Sequence, residues 1–146
     1  MKISTEIINE IADSLEMGFT CYFNKDTSQL IAIPAEVDIY LDEDDDELYE
    51  FEPWYEDAKI IKASPDSFIQ VEQMPSNESF RIMEDFIETV DDENLQQKLL
   101  RVIQMRKPFA HFKEEIHHTG EERERWFAFK REKMIEYVKE QLDIEQ

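Results

Sequence analysis

The stretch F-T-C-Y-F-N-K-D-T-S-Q-L-I-A-I-P, residues 19–34, predicts a β-hairpin. Its first strand, Phe19 to Phe23, is rich in aromatic residues, and its second, Leu30 to Ile33, is aliphatic up to Pro34. The segment N-K-D-T-S between them is typical of a turn, because short polar side chains bond to nearby backbone groups. We therefore expect antiparallel strands near the N-terminus.

Further elements flank the hairpin. Before it, apolar residues at helical spacing predict a helix over 4–17 that ends at or just before Gly18. After it, Trp54 to Lys62 can form a short helix, and the β-prone residues of 68–71 predict a third strand beside the hairpin. The apolar residues that define the first helix are Ile7, Ile8, Ile11 and Leu15.

From Ser76 onward the apolar spacing is helical. We predict a helix capped by Ser76, a second capped by Asp91-Asp92, a third that begins at Pro108 and is ended by Gly120, and a last one near 121–142. The sequence thus predicts an α+β fold, in which an N-terminal helix and a small antiparallel sheet pack with a C-terminal bundle of about four helices. We expect one domain over 1–146, with an N-terminal part over about 1–75, an acidic connection over 36–57 and a helical part over about 76–146.

Composition excludes several classes of protein. Gly18 and Gly120 are the only glycines, so the glycine-rich loops of dinucleotide-binding and P-loop proteins cannot form. The single cysteine, Cys21, cannot make an internal disulfide or a cysteine-rich metal site, which favours a reducing compartment. No secretory leader and no run of about 20 apolar residues is visible. We expect a cytoplasmic protein without a membrane association or a cofactor.

Negative charge is concentrated toward the N-terminus. The chain carries 36 acidic and 16 basic residues, a net charge of −20, and its first 100 residues hold 26 of the acidic but 6 of the basic ones. Between Glu36 and Asp57, 12 of 22 residues are acidic and none is Lys or Arg. Such a segment repels phosphate, so direct nucleic-acid binding is disfavoured and a basic protein surface is the expected partner.

Candidate partner-binding residues lie in this connection. Its acidic run could attract calcium weakly, but it has no glycine and no alternation of ligands as in an EF-hand loop, which favours a solvated charge run. The aromatic residues after the run either pin the connection to the core, which we favour, or face a partner. The candidates are Asp42, Glu43, Asp44, Asp45, Asp46, Glu47, Trp54 and Tyr55.

Three aromatic motifs resemble those of a known family. F-R-I-M-E-D-F-I at 80–87, K-P-F-A-H-F-K at 107–113 and R-W-F-A-F at 125–129 together look like Uncharacterised Protein Family 0158, a bacterial family of small acidic proteins. The resemblance covers most of the chain. It implies a bacterial origin and assigns no catalytic residues. It also implies that the shared pattern of the family includes Arg81, Glu84, Phe86, Phe109, Phe112, Trp126 and Phe129.

A polar cleft between helices is a second candidate site. Arg81 shares one helix face with Glu84, Asp85 and Glu88, where a solvated face with an Arg81–Asp85 pair is favoured. In the alternative, Arg81 lies in a cleft and meets Trp126 or an anionic ligand, because a guanidinium group stacks on aromatic rings and binds carboxylate or phosphate. The residues of this candidate cleft are Arg81, Glu84, Arg125 and Trp126.

Two features bear on metal binding and nucleophilic catalysis. His111, Glu115 and His118 share one side of a helix and are weak candidates for a divalent transition metal. They lack the H-E-x-x-H spacing, so a solvated face is favoured and no metal is predicted. Cys21 has no activating group nearby in the sequence, and we predict a packed strand thiol.

Two functions of different classes remain. The sequence favours a non-catalytic interaction or regulatory protein that docks on a basic protein surface, with mimicry of nucleic acid as a special case. The alternative is a small enzyme, or a ligand- or metal-binding domain, that uses the polar cleft between helices. RNA binding by the C-terminal part is a minor third option, which the negative charge of the rest opposes.

Overall fold

The structure is a computed structural model that describes residues 3–39 and 49–143. The chain forms two compact units. Unit 1 comprises Met1–Gln73 and Ile135–Gln146, and unit 2 comprises Met74–Met134. The predicted change of organisation near residue 75 thus lies beside the boundary between the units, whereas the end of the chain groups with unit 1.

Unit 1 is built on the predicted hairpin. The central strand of its sheet is β1 (Phe19–Asn24), and both outer strands, β2 (Leu30–Pro34) and β3 (Phe68–Val71), pair antiparallel with it, so the sheet order is β2-β1-β3. The predicted helix over 4–17, the hairpin, the short helix and the third strand are all present. The elements are helix α1 at Thr5–Glu16, strand β1 at Phe19–Asn24, strand β2 at Leu30–Pro34, helix α2 at Tyr55–Ala63, a 3₁₀ turn at Pro65–Ser67 and strand β3 at Phe68–Val71.

The ends of α1 and the hairpin turn follow from local chemistry. The Ser4 hydroxyl accepts a hydrogen bond from the Ile7 backbone N–H at 3.2 Å, which caps α1. After α1, Gly18 adopts a φ of 92°, a conformation that disfavours any residue with a Cβ. In the turn, the Asn24 side-chain oxygen accepts from two backbone N–H groups within 3.1 Å, so the predicted turn forms around one buried amide.

The two faces of the sheet bury different residues. Cys21 stands opposite Val71 on one face, and its sulfur lies 3.9 Å from the Ile11 carbonyl oxygen of α1. On the other face, Tyr22 stands opposite Ile31 and belongs to the core that α2 covers. One expected member of the α1 face differs: Ile7 is half-buried, and the smaller Ala12 is fully buried in the core. The core on the α2 side consists of Tyr22, Ile31, Ile33, Ile39, Ala58 and Ile61.

Unit 2 is helical, as predicted, and the α+β fold class is confirmed. Asp92 caps its second helix by accepting from the backbone N–H groups of Asn94 and Leu95. Pro108 occupies the first turn of its third helix, where its missing N–H costs nothing. The helices are α3 at Ser76–Glu88, α4 at Glu93–Val102, α5 at Pro108–His117 and α6 at Gly120–Gln141, of which the last continues into unit 1.

Two predicted helix ends are wrong. Ser76 is the first residue of α3 and not its cap, because the Pro75 carbonyl already accepts from the backbone N–H groups of Glu78 and Ser79. Gly120 begins α6 and does not end α5, which stops at His117. No glycine is needed there, because the Thr119 hydroxyl donates to a last-turn carbonyl of α5 at 2.7 Å.

The core of unit 2 is aromatic. The Phe86 ring is fully buried, and its centroid lies 5.2 Å from that of Trp126 and 5.5 Å from that of Phe129. Phe112 completes the cluster at 4.8 Å from Trp126. The rings meet edge to face, which is the favoured geometry for aromatic pairs. Among the residues that the structure describes, no helix is both long and apolar enough to cross a membrane.

Candidate functional site

The net charge of the protein belongs almost entirely to unit 1. The sequence of unit 1 contains 23 acidic and 5 basic residues, a net charge of −18. Unit 2 contains 13 acidic and 11 basic residues, a net charge of −2. The negative potential of the protein therefore originates mainly from the side chains of unit 1.

One aromatic side chain of unit 1 projects into solvent within this acidic surface. Phe51 is 91% exposed, and its neighbours Glu50 and Glu52 are both exposed. Large apolar side chains are usually shielded, so an exposed ring between carboxylates is a candidate contact for a partner. We call Glu50, Phe51 and Glu52 the Phe51 patch.

The predicted aromatic candidates Trp54 and Tyr55 lie just beyond this patch. Trp54 is half-buried, packs against the core of unit 1 and stands 5.5 Å from the ring of Tyr49. Tyr55 is also half-buried, and the Lys59 ammonium lies 4.9 Å from its ring centroid. Trp54 therefore pins the connection to the core, whereas Phe51 faces solvent. The predicted acidic candidates Asp42, Glu43, Asp44, Asp45, Asp46 and Glu47 lie outside the described residues.

A cavity of about 520 Å³ opens on the α2-facing side of the sheet in unit 1. This volume is within the range typical of sites for small ligands. Within the described part of the chain, its wall carries two carboxylates, those of Asp38 and Glu72, and no basic side chain. The residues that line it are Thr20, Tyr22, Ala35, Val37, Asp38, Ile39, Gln70, Glu72 and Gln73. Sequence reasoning missed this site, although the alternation of polar residues at 20, 22, 70 and 72 places them on one face of the sheet.

Hydrogen bonds hold the wall of this cavity in place. The side-chain amide of Gln73 donates to the carbonyl oxygens of Leu15 at 2.8 Å and Phe19 at 2.7 Å. The buried Tyr137 hydroxyl donates to the Glu72 carbonyl oxygen at 2.8 Å. The end of β3 is therefore tied both to α1 and to the C-terminal residues of unit 1. We call this site the sheet cavity.

Of the four residues of the predicted cleft, the structure places Trp126 at a small cavity of unit 2. This cavity has a volume of about 60 Å³, and Arg81, Glu84 and Arg125 do not line it. Arg81 is exposed, and within the described residues it joins no ion pair, hydrogen bond or ring contact. Glu84 is exposed as well. A space this small does not accommodate a typical organic ligand.

Arg125 has its partners inside unit 2. Its guanidinium donates to the Thr89 hydroxyl at 2.8 Å, forms an ion pair with Glu122 and lies 5.4 Å from the Phe86 ring centroid. The Thr89 hydroxyl in turn donates to the Phe86 carbonyl at the end of α3. A cation interacts favourably with the partial negative charge at the C-terminus of a helix, and Arg125 lies at this end of α3. The arrangement therefore gives Arg125 a structural role.

The weak metal candidates are not assembled into a metal site. Glu115 forms an ion pair with Lys98 at 2.9 Å, and the His118 ring contacts the ring of His117. His111 is half-buried on the same helix. In the ranges 3–39 and 49–143, no group of three His, Cys, Asp or Glu side chains is placed to hold a metal ion.

Cys21 is a packed strand thiol. It is fully buried, and burial raises the pKa of its thiol to about 11, against a weaker opposing effect of a hydrogen bond with Ser14. Because the thiolate is the nucleophilic form, this thiol is poorly suited to nucleophilic catalysis.

The fold and the charge distribution define a small α+β protein with one strongly acidic unit and one nearly neutral helical unit. The chain belongs to the uncharacterised protein family UPF0158, whose family model matches residues 3–146. It is 24% identical over 144 residues to the UPF0158 protein PA5073 of Pseudomonas aeruginosa, an alignment that covers 98% of this chain and 84% of that protein. No solved structure matches the chain. The resemblance expected from the three aromatic motifs is confirmed.

Proposed function

We propose that this protein is a non-catalytic interaction protein whose unit 1 docks on a basic surface of another protein. The observation that carries the proposal is the concentration of a net charge of −18 in unit 1. Such a field speeds the encounter with a cationic partner and makes the association sensitive to salt. Mimicry of nucleic acid is the special case in which that partner surface normally binds phosphate.

The Phe51 patch supplies the apolar contact that a charged surface alone lacks. Interfaces take most of their affinity from a few buried anchors, often aromatic, that polar side chains surround. Phe51 is 91% exposed between two carboxylates, so burial against a partner removes its ring from water without first breaking contacts within the chain. The acidic residues then speed the association of the partner, and burial of the Phe51 ring slows its dissociation.

A capture experiment tests this proposal. Tagged protein is incubated with a nuclease-treated lysate of its own organism at about 0.1 M and 0.5 M NaCl, because screening weakens exposed charge contacts. We expect a basic protein in stoichiometric amount at low salt and its release at high salt. The partner is then purified, and binding is measured directly by titration.

Matched variants separate the patch from net charge. Glu50→Gln with Glu52→Gln removes two charges from the Phe51 patch, and Glu121→Gln with Glu124→Gln removes two from exposed positions of unit 2. We expect the first pair, and Phe51→Ser, to weaken binding about tenfold or more, and the second pair to change it less than about twofold. Equal losses from both pairs, or no salt-sensitive partner in the lysate, contradict the proposal.

A further inference from the structure

We propose that a basic and partly apolar surface of unit 2 binds the Phe51 patch of a second copy of this chain. This inference rests on the proposed function in one respect, since both use the Phe51 patch, and it adds a second surface and a partner. The surface consists of Met105, Arg106, Lys107, Phe109 and Lys113, and we call it the Arg106 surface.

The Arg106 surface lies in the longest stretch of the chain that has no acidic residue. Residues 94–113 contain five basic side chains and no Asp or Glu, in a chain that carries 36 acidic residues. Arg106, Lys107 and Lys113 are exposed, and within the described residues none of their side chains joins an ion pair, a hydrogen bond or a ring contact. These three cations can therefore bind an anionic partner without first losing a contact within the chain.

Two apolar side chains lie among these cations. Met105 is 50% exposed, and Phe109, in the first turn of α5, is 42% exposed. The Phe109 ring meets the Phe80 ring edge to face at 6.4 Å, which holds it in place while part of it stays open to solvent. Phe109 and Lys113 are four residues apart, so they share one face of α5. Apolar side chains beside charged ones are the usual composition of a protein interface.

The start of α5 adds to the positive potential of this surface. Its first turn contains no acidic residue, and no side chain caps it, so the partial positive charge of the helix N-terminus is not neutralised there. The backbone is also constrained, since Lys107 has a φ of 56° and Pro108 fixes the φ that follows. A surface held in one conformation loses less entropy when it binds.

The Phe51 patch complements the Arg106 surface in charge and in polarity. It presents an aromatic ring that is 91% exposed between two exposed carboxylates, which match an apolar centre flanked by cations. Unit 1, with a net charge of −18, repels another unit 1, whereas unit 2 carries only −2, so unit 2 is the part of a second copy that unit 1 can approach. A nucleic acid also supplies anions, but its affinity comes from many phosphate contacts, and this surface offers three cations.

Self-association of the full-length protein tests the inference. Sedimentation velocity is measured over a series of protein concentrations at about 0.15 M NaCl, where charges more than about 8 Å apart are largely screened. We expect the unaltered protein to form dimers or larger species as its concentration rises, because every copy carries both surfaces.

Matched charge reversals locate the contact. Arg106→Glu with Lys113→Glu alters the Arg106 surface and leaves the constrained backbone at Lys107 unchanged, and it should weaken self-association about tenfold or more. Lys25→Glu with Lys130→Glu makes the same change in net charge at exposed positions outside the surface. This control should change self-association less than about threefold.

A mixture of two variants isolates the proposed pair of surfaces. Phe51→Ser loses the ring of the Phe51 patch and keeps the Arg106 surface, whereas Arg106→Glu with Lys113→Glu keeps the patch. Each variant alone should remain monomeric at concentrations at which the unaltered protein associates. The mixture should associate at least about tenfold more tightly than either variant alone, and it should stop at one copy of each, because only one intact pair of surfaces remains.

Failure of this inference differs from failure of the proposed function. A protein that stays monomeric, equal losses from both charge reversals, or a mixture that associates no better than its components overturns the contact between copies. Binding of a single-stranded RNA of about 12 nucleotides that Arg106→Glu with Lys113→Glu abolishes, in a protein that stays monomeric, also overturns it and assigns the surface to nucleic acid. In each case the capture of a basic protein from the lysate by unit 1 is unaffected. Association of the mixture, with no basic protein captured, supports this inference and overturns the proposed function.

Discussion

Replacement of Phe86 by leucine tests the aromatic core of unit 2. The Phe86 ring is fully buried and meets the rings of Phe112, Trp126 and Phe129 at centroid distances of 6.4, 5.2 and 5.5 Å. Each such pair contributes about 0.5–1.5 kcal/mol beyond the burial of its area. The leucine keeps most of the apolar volume but loses the pairs, so we expect the free energy of unfolding to fall by about 2–4 kcal/mol.

The tryptophans allow each unit to be observed separately. Trp54 lies in unit 1 and Trp126 in unit 2, beside Phe86. In a Trp54→Phe background, urea unfolding followed by fluorescence therefore reports on Trp126 alone. The control is Phe109→Leu, since Phe109 is 42% exposed and pairs with Phe80 at 6.4 Å.

We expect the control to cost less than about 1 kcal/mol, as is usual for exposed positions. If Phe86→Leu costs no more than Phe109→Leu, the aromatic cluster does not hold unit 2 together and the packing argument is refuted. Circular dichroism before unfolding verifies that both variants begin from the helical state.

Further predictions concern three single residues. Below pH 9 the native Cys21 thiol should react with a thiol reagent far more slowly than in urea, because burial raises its pKa from 9.0 to about 11. The Cys21 thiol loses its proton near pH 9 in the unfolded chain, whereas the folded chain retains it up to about pH 11. The free energy of unfolding should therefore fall by about 2–3 kcal/mol between pH 9 and 11. Cys21→Ala should abolish this part of the pH dependence. Asp92→Ala removes the acceptor for two backbone N–H groups of α4, so the free energy of unfolding in urea should fall by about 1 kcal/mol. An unchanged value would contradict the capping role of Asp92. Gly18→Ala should cost about 1–2 kcal/mol, because Gly18 has a φ of 92°, and thermal unfolding measures the loss.

Local sequence was enough to predict the elements of both units. The hairpin over 19–34 combines β-prone residues with turn chemistry, and both signals act over a few residues. Asp92 was recognisable as a cap because its partners lie two and three residues away. Two helix ends were predicted wrongly. At the start of α3, the Pro75 carbonyl accepts the N–H groups that Ser76 was expected to cap, and at the end of α5, the Thr119 hydroxyl takes the role expected of Gly120.

The sites depended on contacts that periodicity does not encode. Arg125 meets Thr89 from 36 positions away, and Gln73 meets Leu15 from 58 positions away. A helix face shows which side chains are polar, but it does not show which distant group each one meets. For this reason Arg125 looked like a ligand residue in the sequence, and the sheet cavity was overlooked.

The uneven charge also has a consequence for stability that one experiment can isolate. A net charge of −18 in unit 1 repels itself in the compact state, whereas unit 2 carries −2. Raising NaCl from about 0.1 M to 1 M shortens the screening length from about 10 Å to 3 Å, so the repulsion weakens. We expect the urea midpoint reported by Trp54, in a Trp126→Phe background, to rise with salt, while the midpoint reported by Trp126 changes little.

The comparison of the two reporters carries its own control. A general effect of salt on apolar surface raises both midpoints alike, because each unit has an apolar core. Relief of repulsion raises only the midpoint of the unit that holds the charge. A parallel rise in both would therefore contradict the idea that unit 1 tolerates its charge at a cost to stability. A rise of the Trp54 midpoint alone would show that the acidic residues lower the stability of unit 1, a cost that is expected if these residues serve binding.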